Sequence, residues 1–206
     1  MDSKDFKIAR LGKAQLISPL DASTAFVSDT ATVAYDSDCA TLSEYVKQGE
    51  TIPAFELAGP RKKIYHDPTW SKAAILTAGG LCPGLNDVIK FLTSTLRGQY
   101  GVPIVYGIRY GCRGLNPESK LAPIILTDEN TDDIHEQGGT ILGSSRGTED
   151  VDVMVDTLMR MNINLLFCIG GDGTARCAHD IALETQKRGL SISVISVPKT
   201  IDNDIA

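Results

Sequence analysis

From Ala73 onward, short apolar runs alternate with amphipathic stretches, whereas residues 1–70 are polar, rich in Asp, Ser and Thr, and weakly periodic. Such alternation is the mark of βα units around a parallel sheet. Apolar runs bounded by turn residues predict buried strands at Ala73–Thr77, Pro103–Ile108, Asn164–Ile169 and Ile192–Val197. Helices are expected between them. Asn86 is placed to cap Asp87–Leu96, with Val88, Leu92 and Leu96 on one face. Asp150–Met161 sets Val151, Val155, Leu158 and Met159 on one side. Ala175–Arg188 does the same with Ala178, Ile181, Ala182 and Thr185, and Gly189 is a stop signal. The stretch AGPRKKIYHDP, punctuated by Pro60 and Pro68, marks the change of pattern. The expected fold is therefore α/β, a doubly wound, mostly parallel, Rossmann-like sheet over 71–206, with a mostly irregular N-terminal extension over 1–70. Trp70, the one tryptophan, stands at that boundary and is expected to be a packing anchor.

Composition narrows the picture. The 206 residues, 42% hydrophobic, suffice for the core of one ordinary domain, roughly 100–200 residues. The net charge is -6 and lysines and arginines are scattered, so no basic stripe for a nucleic acid is present. Five cysteines, irregularly spaced and without a CxxC, suggest neither a disulfide framework nor a zinc site, and reduced thiols are expected. The first residues lack the features of a secretory or transit peptide, and no apolar run nears the ~20 residues of a membrane span, so a cytoplasmic protein without a membrane partner is expected. His66, His135 and His179 lack metal-ligand spacing and are read as surface or packing residues.

Three loops carry candidate chemistry. Thr77-Ala78-Gly79-Gly80-Leu81-Cys82-Pro83-Gly84-Leu85-Asn86 leaves the first strand and opens the first helix, where glycines let backbone N–H groups approach an anion. Equally, it can be a plain tight turn, and it lacks the Gly-Lys-Ser/Thr of a Walker A loop. Gly170-Gly171-Asp172-Gly173-Thr174 repeats this arrangement after the third strand. There Thr174 is a candidate helix cap, and Asp172 either a turn aspartate or a ligand of Mg2+. Pro198-Lys199-Thr200-Ile201-Asp202-Asn203-Asp204 follows the last strand. In an extended loop Asp202 and Asp204 point the same way beside Lys199, as two solvated acids or as a base and a metal ligand.

Taken in order, TAGGLCPGLN, IGGDGT and PKTIDND resemble the phosphofructokinase family over about residues 57–206, and AGPRKKIYHDP resembles its long-chain plant, protist and spirochaete-like branch. The resemblance implies phosphoryl transfer from Mg-ATP to the 1-hydroxyl of fructose 6-phosphate, with both molecules as partners and a homo-oligomeric full-length parent. It implies donor binding by Gly79, Arg146, Gly147, Gly171, Asp172, Gly173 and Thr174. Arg146 comes from the stretch Gly138-Gly139-Thr140-Ile141-Leu142-Gly143-Ser144-Ser145-Arg146. It further implies Thr200, Ile201 and Asp202 at the sugar phosphate, Asp202 as catalytic base, Arg146 and Lys199 as catalytic positive charge, and Asp172 and Asp204 at Mg2+. Gly173, where pyrophosphate-using relatives carry a second aspartate, favours ATP; Lys199 is shared with pyrophosphate users. The family's sugar-phosphate domain follows the last motif, so a chain ending there is expected to be an N-terminal part. A pyrophosphate-dependent enzyme and a non-catalytic nucleotide-binding module remain as alternatives. An NAD or lipid kinase relative shares only the GGDGT loop.

Overall fold

The computed structural model describes residues 6–147 and 149–204. The chain divides into two compact units, Met1–Tyr65 and His66–Ala206.

The first unit carries more regular structure than its weak periodicity predicts. Strand β1 (Leu16–Ile17) pairs antiparallel with β4 (Lys63–Ile64), and β2 (Thr32–Ala34) with β3 (Ala54–Glu56). Helix α1 (Cys39–Gln48) begins where the Asp38 carboxylate accepts from the Thr41 amide at 2.9 Å, and ends at Gly49 in the left-handed region. None of its residues is buried. Packing here is aromatic instead: the rings of Phe6, Tyr35 and Phe55 meet with centroids 5.0–5.8 Å apart.

The second unit is built on a sheet of five strands. They are β5 (Lys72–Thr77), β6 (Ile104–Ile108), β7 (Ile124–Leu126), β8 (Leu165–Gly170) and β9 (Ser193–Pro198), in the order β7-β6-β5-β8-β9. All neighbours are parallel except β6 and β7. Four of these match the expected strands to within a residue. Alternation along the strands divides the core between two faces. Ala73 and Ile75 pack on one side with Leu85 and Ile89 of α2 (Leu85–Ser94). Ala74 and Leu76 pack on the other with Met154, Val155 and Leu158 of α4 (Val151–Arg160) and Ala178 and Ile181 of α5 (Asp172–Lys187). A four-residue helix, α3 (Asp128–Thr131), lies between β7 and α4. Each fully buried Leu or Ile contributes about 1.5–3 kcal/mol, so this two-sided core holds the unit together.

Several expectations are corrected. Asn86 does not cap α2: Gly84 holds the cap position and Asn86 lies inside the helix, 2% exposed. Its amide faces the protein because the core-facing row continues through Ile89 and Thr93. Met159 is exposed, since the buried row of α4 runs through Met154, Val155 and Leu158. Helix α5 starts at Asp172 rather than Ala175, so Thr174 is buried within its first turn and is not a cap. Trp70 is 84% exposed. It sits in a turn closed by its own N–H to the Asp67 carbonyl, which directs the ring outward.

Along the sheet the chain passes from β5 to β6 on one side and returns to β8 on the other. The carboxyl ends of β5 and β8 therefore flank a topological switch point, the place where open α/β sheets bind ligands. All three candidate loops leave the sheet from this edge.

Candidate active site

Thr77 closes β5 with a buried hydroxyl that donates to the Gly143 carbonyl at 2.8 Å and lies 2.9 Å from the Thr140 hydroxyl. Beyond it the backbone turns at Gly79, whose φ of 82° suits glycine. The Gly79 N–H donates to the Ser145 carbonyl at 3.0 Å, and the Ser144 hydroxyl donates to the Gly79 carbonyl at 2.5 Å. Ser145 in turn donates to the Tyr110 carbonyl at 2.6 Å, and the Tyr110 N–H to the Leu142 carbonyl at 2.8 Å.

Asn86 clamps the other end of the same segment. Its Nδ2 donates to the Gln137 carbonyl and its Oδ1 accepts from the Ile141 N–H, both at 2.9 Å. Residues 137–145 are thereby stitched to the turn between β5 and α2, and Arg146 follows directly. A cavity of about 420 Å³ opens between them, lined by Gly79, Gly80, Leu81, Thr140, Gly143 and Ser144 through Arg146. Arg146 is exposed, and a Cβ placed on Gly80 would lie 4.0 Å from its Nη2. The guanidinium thus stands over the glycine turn, with free reach into the cavity.

The second loop is fixed just as closely. Ala78 donates its N–H to the Ile169 carbonyl at 2.9 Å, joining the β5 turn to β8. A Cβ on Gly170 would fall 2.7 Å from the Ala78 carbonyl oxygen and 2.6 Å from the Thr174 Cβ, so only glycine allows strand, turn and helix to meet there. The first turn of α5 begins at once, and the first N–H groups of a helix have no intrahelical partners. Here the Thr174 and Ala175 N–H groups both donate to the Gly171 carbonyl, at 2.9 and 3.0 Å, and the start of the helix has the helix dipole behind it, a setting that suits phosphate. Asp172 and Gly173 in that turn are exposed, and a Cβ on Gly173 would meet nothing within 4 Å.

The acidic loop reaches the same edge. The Lys199 N–H donates to the Gly170 carbonyl at 2.9 Å, and a Cβ on Gly80 would lie 2.6 Å from Cδ1 of Ile201. Its conformation is a turn and not the extended loop expected. Asn203 adopts φ 55°, the Thr200 hydroxyl donates to Asp204 Oδ1 at 2.6 Å, and the Asp204 N–H returns to that hydroxyl at 3.2 Å. The simple alternation that would align Asp202 with Asp204 is broken. Both carboxylates remain exposed.

The structure therefore gathers Gly79, Gly80, Arg146, Gly170, Gly171, Lys199 and Ile201 around one cleft, with Asp172 and Gly173 in the first turn of α5 and Thr200, Asp202 and Asp204 on the loop after β9 at the same sheet edge; Gly147 follows Arg146 and is exposed. Among the described residues no group of three His, Cys, Asp or Glu is placed to hold a metal unaided. Sequence reasoning missed Thr77, Asn86, Ser144 and Ser145, the side chains that hold the Arg146 segment. Two left a signal: Thr77 is a polar end to an apolar strand, and Asn86 falls in the core-facing row of α2.

Comparison with known proteins bears on family and fold. Residues 72–206 match the family model for phosphofructokinase. The chain is 45% identical over 211 residues to an ATP-dependent 6-phosphofructokinase of Borreliella burgdorferi, covering 98% of this chain and 46% of that protein. It is 43% identical over 208 residues to one of Amycolatopsis methanolica, covering 98% and 45%. The chain thus spans about half the length of the curated relatives it matches. Among solved structures, a pyrophosphate-dependent phosphofructokinase of Nitrosospira multiformis superposes with a TM-score of 0.60 at 23% identity, over 66% of this chain and 35% of that one. Phosphofructokinase of Pichia pastoris in the T-state gives 0.58 at 19% identity, over 84% and 23%. These two show likeness of fold.

Proposed function

The chain belongs to the phosphofructokinase family, and from that premise we propose that it is the phosphoryl-donor half of an ATP-dependent 6-phosphofructokinase, with residues 71–206 as the nucleotide-binding domain and 1–70 as an extension of it. The observation that carries this reading is the cleft at the β5–β8 switch point, where a glycine turn, a helix N-terminus and an exposed arginine meet.

Phosphoryl transfer asks the protein mainly for positioning and for positive charge around the phosphoryl oxygens. The Gly79 turn and the first turn of α5, Gly171 to Thr174, cradle the donor's phosphates. Arg146, over Gly80, faces the phosphoryl group, and Lys199 adds charge from just after β9. Asp202 takes the proton from the sugar 1-hydroxyl, with Thr200 and Ile201 beside the sugar phosphate. Asp172 and Asp204 offer the hard carboxylate oxygens that suit Mg2+, which commonly binds through one or two carboxylates together with phosphates and water. When bound, the ion neutralises phosphate charge.

Donor choice rests on Gly173. It is exposed with no atom within 4 Å of its notional Cβ, so the space an aspartate would fill is open to a nucleotide. The relatives named above are ATP-dependent, which supports the same choice. Lys199 favours a second reading, pyrophosphate as donor. No helix among the described residues is long and apolar enough to cross a membrane; a cytoplasmic, homo-oligomeric full-length enzyme is part of the proposal.

A coupled assay of fructose 1,6-bisphosphate formation, run on the complete enzyme with each donor, tests it. Turnover with ATP, lost in Asp202→Ala, is expected. Turnover with pyrophosphate alone would select the second reading, and full activity in Asp202→Ala would remove the base assignment.

A further inference from the structure

Cys112 and Cys177 are 65 residues apart in sequence, yet their sulfurs lie 2.8 Å from one another. Cys112 belongs to the short 3-10 turn Gly111–Leu115 after β6, and Cys177 to the second turn of α5. Both are free thiols: Cys112 lies in the core cluster that also holds Cys168, and Cys177, partly buried, packs against it. We propose that Cys112 and Cys177 form a reversible disulfide that ties α5 to the turn after β6, with a low-molecular-weight disulfide as the oxidant.

The geometry favours this pair over the other cysteines. A disulfide needs its sulfurs about 2.05 Å apart, so closure from 2.8 Å asks for a sub-ångström approach of two sulfurs already in contact. Cys112 is 6% exposed and Cys168 fully buried, whereas Cys177 is partly exposed and gives the oxidant access. The contact with Cys112 holds the Cys177 thiol below its ordinary range, while the same contact and burial hold the Cys112 thiol above it. Cys177 is thus the attacking sulfur and Cys112 the resolving one.

Both steps balance. The Cys177 sulfur attacks one sulfur of the small disulfide, whose S–S bond breaks; a mixed disulfide forms and one small thiol leaves. Cys112 then attacks the Cys177 sulfur of that mixed disulfide and expels the second small thiol. The two cysteine protons end on the two leaving thiols, the protein is oxidised by two electrons, and the small disulfide is reduced by two.

The bond has a place from which to act. Asp172 and Gly173 occupy the first turn of α5, one turn before Cys177. On the other side, Gly111 precedes Cys112, and a Cβ there would lie 3.2 Å from the Thr77 carbonyl oxygen and 3.3 Å from the Ser145 hydroxyl. The disulfide would therefore link the helix of the second loop to the turn that supports the first.

The test is oxidation of the reduced chain in a buffer of oxidised and reduced glutathione, followed by alkylation, peptide mapping and intact mass. Expected are a single cross-link between the peptides of Cys112 and Cys177, loss of two hydrogens, reversal by dithiothreitol, and a higher melting midpoint for the oxidised form, since a long loop has been closed. Cys112→Ser should leave glutathione trapped on Cys177, and Cys177→Ser should leave Cys112 unmodified. Because the principal readout uses the unaltered chain, it stands even if a variant fails to fold. Cys112 and Cys177 both remaining free while Cys39 or Cys82 is modified would overturn the proposal, as would a cross-link through Cys168.

Discussion

Residues 137–145 and residues 199–204 approach the same cleft, yet the first segment is sewn into the scaffold and the second is tied mainly to itself. Asn86, Thr77 and Ser144 fasten 137–145 to the end of β5 and its turn, and Ser145 fastens it to Tyr110 after β6, through side-chain bonds at 2.5–2.9 Å; Asn86 and Thr77 are buried. Among the described residues, 199–204 has the Lys199 N–H on Gly170 as its hydrogen bond to the sheet, with the Thr200–Asp204 pair internal to the loop. The difference matches the proposed division of labour. Groups that meet the donor's phosphates gain from being fixed before the substrate arrives, because reorganisation is then not charged to the reaction. A base that meets a sugar hydroxyl sits on a loop whose geometry the sugar itself can complete.

The contrast predicts that substitutions on the two sides fail in different ways. The largest effect is expected from Asp202→Ala, a fall of about 100- to 10,000-fold in fructose 1,6-bisphosphate formation. Because the residue is exposed, its melting midpoint should not move. Asn86→Ala should show the reverse order of symptoms. It leaves the Ile141 N–H and the Gln137 carbonyl without their partner, for a loss of about 2–4 kcal/mol in urea denaturation. Gly170→Ala should cost about 1–3 kcal/mol through the clash with Thr174 and Ala78. Gly173→Ala, in the same motif but with open space around it, should be neutral or add up to about 1 kcal/mol. Equal losses at the two glycines would dissolve the distinction between a packed and an open position.

The smallest effect concerns pH and lies away from the cleft. Arg188 holds Glu184, Asp156 and Asp152 at 2.5–2.6 Å, joining α5 to α4. The guanidinium, followed by Lys187, lowers the Glu184 carboxyl from the usual 4.5 to about 2. A carboxyl lowered in the folded state stabilises above its unfolded value, and that stability is lost as pH falls through the folded one. Thermal melts should therefore weaken between about pH 4.5 and about pH 2, and Glu184→Gln should flatten part of that slope.

Much of the scaffold was legible because buried strands write themselves as apolar, β-branched runs; β5, β6, β8 and β9 are such runs. Strand β7, Ile124–Leu126, was not, since three residues after a proline carry no periodicity and their pairing with β6 is antiparallel. Glycines hid the start of α5: Gly171-Asp172-Gly173 reads as a turn, yet the chain is already helical at Asp172, where an acid suits the helix dipole. The loops of the cleft could be found from their glycines and acids, since Asp172, Gly173, Asp202 and Asp204 are exposed and break the apolar runs that precede them. The clamp was not found, since Thr77 and Asn86 act on backbone groups distant in sequence. Asn203 in the left-handed region shows the same limit, where a local backbone turn undid the alternation expected for Asp202 and Asp204.

Calorimetric titration of the chain with Mg-ATP, comparing Arg146→Ala with Asp202→Ala, tests most directly whether the stitched side of the cleft is the donor side. The expected result is binding that weakens by about 10- to 100-fold in Arg146→Ala, the worth of a charge-assisted hydrogen bond to phosphate, and that stays within about twofold in Asp202→Ala. Binding untouched by Arg146→Ala but abolished by Asp202→Ala would contradict it.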